Sequence, residues 1–143
     1  MQPGMNPRFQ ILEHPADVGI EAYGNSLEEL FENAAHGLFS LISVPEGIGM
    51  GQRLHLTLDS IDLENLLVRW LNELLYLYDG ENFLTARADV KSVSQTSLEG
   101  FIFGETYNSK KHELKLDVKA ITYHQLQIEN ISGSWKARFF VDV

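Results

Sequence analysis

The apolar positions of this chain fall into two regimes, one with helical period and one with the period of a strand. From Leu27 onward they run Leu27, Leu30, Phe31, Ala34, Ala35, Leu38, Phe39 and Ile42, in steps of one, three and four. That spacing keeps them on one stripe of an α-helix. Ser26, with Glu29 three residues on, forms a capping box, and Gly24-Asn25 supplies the preceding turn. A second stripe follows at Leu63, Leu66, Leu67, Trp70, Leu71, Leu74, Leu75 and Tyr78, with Asp62 as its N-cap and Gly80 ending it after Asp79. Each helix buries a single stripe, so each is expected to lie on a sheet rather than inside a bundle.

The rest of the chain alternates with period two, as half-buried strands do. Leu54, Leu56 and Leu58 mark one strand, and Leu98, Phe101 and Phe103 mark another with a bulge at Gly100. Leu114, Leu116, Val118 and Ala120 mark a third, and Trp135, Ala137, Phe139, Val141 and Val143 a fourth. Further strands are expected at 9–12, 19–23, 86–93 and 123–128. Turns are expected at Tyr107-Asn108-Ser109-Lys110 and at Ser132-Gly133-Ser134. Short connections after the second helix imply antiparallel pairing. The expected architecture is α+β: a single mainly antiparallel sheet covered by two amphipathic helices, in one domain spanning 1–143. Met1 to Asn6 carries no structural signal and is expected to be flexible; Met5 is an alternative start.

Charge narrows the partners. Twenty acidic against 11 basic residues give a formal net charge of −9. Nucleic-acid binding draws its affinity from basic clusters that displace counterions, so strong direct binding to RNA or DNA is not expected, nor is an anionic membrane surface. A cationic protein partner or a bound metal ion suits the chain better. The absence of cysteine removes disulfides, thiol catalysis and thiolate metal sites. The most apolar run, LLVRWLNELLYLY, is interrupted by Arg69, Asn72 and Glu73, and MQPGMNPRFQ lacks a signal-peptide core. A cytoplasmic location is therefore expected.

Candidate chemistry gathers at two places. In EHPADVGIEAYG, Glu13, His14 and Asp17 surround Pro15 just before a strand. At the other end, FFVDV sets Asp142 beside the carboxylate of Val143, with Arg138, Phe140 and Asp142 facing away from the core side of the last strand. Asp17, if its loop lies beside that end, adds a third anionic group. Such a cluster calls for a hard cation with oxygen ligands, Ca²⁺, Mg²⁺ or Mn²⁺ rather than zinc. The competing reading makes Asp17 an Asx-turn residue after Pro15 and Asp142 a solvated terminal side chain, and spacing alone favours the turn. His14 and His124 read first as hydrogen-bonded histidines rather than as ligands or acid–base groups. The glycines at 47, 49 and 51 lack the Lys-Ser/Thr of a phosphate loop. No nucleophile stands at recognisable spacing from a base.

With those residues in view, the chain resembles the archease family. The likeness rests on EHPADVGIEAYGNSLEELFENAAHGLF, DLENLLVRWLNELLYLYD, Gly104-Glu105, VKAITYHQLQI and WKARFFVDV, which occur in the family's order and cover nearly the whole chain. The family usually has threonine where this chain has Pro15. The resemblance implies a non-enzymatic activating chaperone of the tRNA-splicing RNA ligase. That GTP- and manganese-dependent ligase joins RNA 3′-phosphate or 2′,3′-cyclic phosphate ends to 5′-hydroxyls. Archeases promote its guanylylation and multiple turnover, and can widen its nucleotide use. The resemblance also implies a metal site at Asp17, Asp142 and Val143. His14, Lys119 and His124 are candidates for facing the ligase. Two other classes stay open: a small metal-dependent hydrolase using Asp17, His14 and Asp142, and an acidic interaction module that needs no metal.

Overall fold

The computed structural model describes residues 7–13 and 17–143. The expectations for Met1 to Asn6, for His14 and for the turn at Pro15 lie outside the described residues. Seven strands and two helices follow one another as β1 (Phe9–Glu13), β2 (Val18–Gly24), α1 (Leu27–Ile42), β3 (Gln52–Asp59), α2 (Leu63–Glu81), β4 (Phe83–Val93), β5 (Ser97–Thr106), β6 (Ala120–Ile131) and β7 (Ser134–Asp142), with a 3₁₀ turn at Pro45–Gly47. The α+β class, the two helices and the antiparallel pairing are as expected. The strands divide into two sheets, however, ordered β1-β2-β7-β6 and β3-β5-β4. Alternation marks a strand's buried face but not its neighbour, so the division could not be read from the pattern.

Both helices begin where their caps place them. The Ser26 side chain accepts from the Glu29 N–H at 3.1 Å, and the Asp62 carboxylate accepts from the Asn65 N–H at 2.8 Å. Glu29 reaches back one residue further than a capping box requires, accepting from the Asn25 N–H. The end of α2 differs from expectation. The helix runs through Gly80 to Glu81, and Asn82, left-handed at φ 56°, caps it by donating to the carbonyls of Leu77 and Tyr78. Asparagine tolerates that conformation better than most residues, and here it does the work expected of the glycine.

One hydrophobic cluster joins both sheets and both helices. Ile20, Ala22, Ala137 and Phe139 come from the first sheet, and Leu84, Ala88, Leu98 and Ile102 from the second. The two helical stripes supply Leu30, Phe31, Leu38, Leu66, Trp70 and Leu74 between them. Gly100 is not a bulge. It pairs regularly with Leu56 and Val90, while the register shifts occur in β4, between Thr85 and Arg87 and between Val90 and Ser92. A Cβ at position 100 would lie 2.9 Å from the Asp89 carbonyl oxygen, so the glycine admits the close approach of the kinked neighbour.

The segment expected to form a strand around Leu114 is instead irregular. Leu114 makes one bridge to Ser43, and the Lys115 and Leu116 N–H groups donate to the carbonyls of Ile42 and Leu41 at the end of α1. Leu114 and Leu116 are each 39% exposed, and only Val118 enters the core. The turn at Ser109 to Lys111 therefore leads into a strap over the α1 C-terminus rather than into a hairpin. The other expected turn is a hairpin: Ser132 and Gly133, at φ 53° and 86°, join β6 to β7. Among the described residues, no helix is long and apolar enough to cross a membrane.

Candidate functional site

The two ends that hold the candidate carboxylates meet through strand register. β2 and β7 are antiparallel neighbours, and Val18 pairs with Val141. Asp17 directly precedes Val18 and Asp142 directly follows Val141, so the end of the ladder brings the two to one corner, and one further step of the register would set them opposite each other. Opposed residues of an antiparallel pair point to one face, with Cβ atoms about 5 Å apart, and like charges so placed repel. On the other side of β7, Ala120 pairs with Asp142, and the next step brings Lys119 opposite Val143. The Lys119 N–H donates to the Asp142 carbonyl at 2.8 Å, fixing that corner. Asp17 is half-buried, whereas Asp142, Val143 and Lys119 are exposed.

Moving along the same face from the corner, Gly19 lies opposite Phe140. Alternation assigns Phe140 to the side away from the core, yet it is 1% exposed. Gly19 makes this possible, because a Cβ there would come within 2.7 Å of the Phe140 ring. The His124 ring stands 6.1 Å from the Phe140 ring, centre to centre. β6 bulges between Thr122 and Gln127, with Gln125 at φ 53°, and the bulge leaves Tyr123, His124 and Gln125 exposed. α2 steadies it: Asn72 accepts from the Ile121 N–H at 3.3 Å, and the Tyr123 hydroxyl donates to Asn65 at 2.8 Å. Two of the polar residues on α2 thus serve the strand that borders the site.

Further along, the face becomes ionic. Arg138 donates to Glu21 at 2.9 Å through Nη2 and at 3.1 Å through Nε, and the Tyr23 hydroxyl donates to Glu21 at 2.7 Å. Burial pulls the Glu21 carboxyl upward, but the bonds from Tyr23 and Arg138 outweigh it and hold Glu21 below the usual carboxylate range. Burial and the bond to Glu21 push the Tyr23 hydroxyl up to about 12. Glu21 therefore has its cations and donors in place. At the corner, no ion pair joins Asp17 or Asp142 to a cation among the described residues.

That contrast bears on a metal. Asp17, Asp142 and the Val143 carboxylate are hard oxygen donors at one corner, two of them opposed by register without a compensating cation, and this suits a divalent ion. Among the described residues, no three His, Cys, Asp or Glu side chains cluster closely enough to hold an ion by themselves. The set at the corner contains only two such side chains and depends on a main-chain carboxylate for its third donor.

A second polar cluster surrounds Glu105, which the family resemblance touches but to which spacing assigned no partner. Glu105, at the end of β5, accepts from His112 Nε2, from Lys111 and from the Gly49 N–H, each at 2.7 Å. These bonds, led by those from Lys111 and Gly49, hold Glu105 down to about 2. His112 Nδ1 accepts from the Asn108 N–H at 2.9 Å, which leaves the ring proton on Nε2, facing Glu105. The cluster pins the start of the strap to β5 and to the loop before β3. Residues six and seven positions apart across a turn give no periodic pattern.

The sequence profile of the Archease protein family matches residues 9–143. The chain belongs to the archease family. Among its relatives, the protein archease of Methanosarcina mazei is 37% identical over 145 residues, covering 99% of each chain. That of Sulfurisphaera tokodaii is 39% identical, covering 95% of this chain and 99% of its own. That of Saccharolobus islandicus is 45% identical, covering 94% of this chain and 98% of its own. The solution structure of protein 1598 of Methanobacterium thermoautotrophicum superposes with a TM-score of 0.81 at 31% identity, over 95% of this chain and 99% of that one. The crystal structure of a Thermotoga maritima archease, described as a possible chaperone, shares the fold with a TM-score of 0.65 at 24% identity, over the full length of both chains.

Proposed function

We propose that this archease is a protein activator of a GTP- and manganese-dependent RNA ligase, acting in tRNA splicing or RNA repair, and that it is not itself an enzyme. In this reading it promotes guanylylation of the ligase and lets it turn over repeatedly. Family membership supports the reading, as does the description of the Thermotoga relative as a possible chaperone. The single observation that supports the site is the Val18–Val141 pair, which brings the adjoining Asp17 and Asp142 to one corner of the sheet, where neither carboxylate has an ion-pair partner among the described residues.

Asp17, Asp142 and the Val143 carboxylate would hold a divalent cation with oxygen ligands, Ca²⁺, Mg²⁺ or Mn²⁺. When bound, the ion would offset the opposed charges and supply a Lewis-acidic centre at the protein surface. The chain's own residues do the rest. The β2–β7 ladder orients the two carboxylates, Lys119 flanks them, and the bulge at Tyr123 to Gln125 offers His124 beside the corner. A net charge of −9 favours docking on a basic surface of the ligase.

The test is ligation by the cognate ligase under multiple turnover at a fixed manganese concentration, without this protein, with the native protein and with its Asp142→Ala variant. Stimulation by the variant equal to that by the native protein would mean that activation does not need the metal site. RNA or nucleotide turnover with the ligase absent would favour the hydrolase reading instead.

A further inference from the structure

At the opposite end of the first sheet, where β1 begins, a cleft of about 590 Å³ opens between α1, the start of β1 and β4. Its polar side includes Arg8, His36 and Arg87, with Ser40 and Glu46, and its apolar side includes Phe9, Phe39 and Ile48. The volume falls within the range of small-molecule sites.

Hydrogen-bond accounting around His36 shows a missing acceptor. Nε2 of His36 lies 3.1 Å from the Ala88 N–H, and Nδ1 lies 2.6 Å from Nη2 of Arg8. A neutral imidazole has one lone pair and one N–H, and a guanidinium has no acceptor at all. If Nε2 accepts from Ala88, the Nδ1–H faces an Arg8 N–H head to head. If Nδ1 accepts from Arg8, the Nε2–H faces the Ala88 N–H instead. In either tautomer one donor points at another, a mismatch that an acceptor placed between them at the mouth of the cleft would relieve.

The two guanidiniums are held in place but are not neutralised by direct pairing. Arg8 Nε donates to Asn33 Oδ1 at 3.3 Å, and Arg87 lies over the Phe103 ring, 4.7 Å from its centre. Among the described residues, no carboxylate forms a salt bridge with either. Two acids stand nearby without forming an ion pair to either arginine: Glu46 lines the cleft, and Glu32, which accepts from the Val90 N–H at 2.8 Å, feels the charge of Arg87. Burial, and after it the charges of Arg8 and Arg87, disfavour protonation of His36 and push its pKa down to about 4.

We propose that this cleft binds a small organic oxyanion, a phosphate or carboxylate head group on an apolar body. The head group would supply the acceptor that Arg8 and His36 lack, with Arg87 completing the grip, since a guanidinium fork matches either head group. The apolar body would lie against Phe9, Phe39 and Ile48. Nothing in this proposal depends on the ligase reading or on the metal corner, which lies at the other end of the sheet.

The experiment is an NMR titration of the full chain, following the Ala88 amide and the His36 ring, with inorganic phosphate, phenyl phosphate and benzoate as separate probes. Saturable shifts with phenyl phosphate or benzoate at millimolar concentration are expected, and whichever binds more tightly identifies the head group. Inorganic phosphate should bind more weakly than phenyl phosphate. Arg8→Gln and Arg87→Gln change exposed side chains, and each should weaken binding at least about tenfold, as loss of a charge-assisted hydrogen bond does. The proposal is overturned if neither organic probe gives a saturable shift, if inorganic phosphate binds as tightly as phenyl phosphate, or if the double variant binds as the native chain does.

Discussion

The indole N–H of Trp70 donates to the main-chain carbonyl of Phe31 at 3.0 Å, inside the core. This bond ties α2 to α1 at a point where both side chains are fully buried. Trp70→Ala should destabilise the protein by about 3–5 kcal/mol, as other large aromatic truncations do. Trp70→Phe keeps most of the apolar contact but not the hydrogen bond, and should lie well below that. Urea denaturation of the two variants separates the contributions. A loss below about 1 kcal/mol for Trp70→Ala would be the response of a surface position.

Phe140 and Gly19 make a second pair whose importance alternation hides. Phe140→Ala should cost about 3–5 kcal/mol although it faces away from the helices, because the ring is buried against the glycine. Gly19→Val should also destabilise, since the new side chain and the Phe140 ring need the same space. The double variant Gly19→Val/Phe140→Ala should recover part of the loss. Strict additivity in thermal melts would contradict the shared volume.

Acid should weaken the fold in two windows. The folded-state pKa of His36 is depressed to about 4, so the unfolded chain binds its proton first. Stability is therefore full above about 6.5, the unperturbed value, and falls as pH drops toward 4, by roughly 2–3 kcal/mol in total. Glu105 is held down to about 2, so its contribution is present above its ordinary value of 4.5 and is lost as pH falls through 2. His36→Gln should flatten the first window and Glu105→Gln the second. Denaturation midpoints measured across pH check both.

Much of this fold was legible, and what was missed has identifiable causes. Both helical stripes and both N-caps were readable because cap and periodicity agree at Ser26 and Asp62. Leu114 and Leu116 alternate like strand residues, but the backbone there bonds to the end of α1, and two apolar side chains at proper spacing do not secure burial. Gly80 looked like a stop signal, yet Asn82 supplies the left-handed cap. At the candidate site, residue type drew Asp17 and Asp142 together only weakly, since spacing favoured a turn role for Asp17, and the metal set came from the family resemblance. Their opposition depends on β2 and β7 being neighbours in one register, which is a tertiary fact. The Glu105–His112 contact and the donor mismatch at His36 are likewise products of chain folding.

The opposed carboxylates predict an unusual sign for a site mutation. Asp17→Asn should leave the fold intact and slightly stabilise the metal-free protein, by about 0.2–1 kcal/mol, because it removes a like-charge pair across the strands. In the native protein a divalent cation should raise the melting temperature by mass action, and in Asp17→Asn or Asp142→Asn it should not. Scanning calorimetry with and without Ca²⁺, Mg²⁺ or Mn²⁺ gives both numbers. Equal metal-induced shifts in native and variant proteins would place the ion elsewhere.

The most direct test of the account is the number of ligation cycles completed per ligase molecule in the presence of the Asp17→Ala/Asp142→Ala variant. Native archease should carry the ligase through many cycles. The double variant, folded but without its paired carboxylates, should leave the ligase near its unassisted level. If the variant supports as many cycles as the native protein, the carboxylate corner is not the functional site.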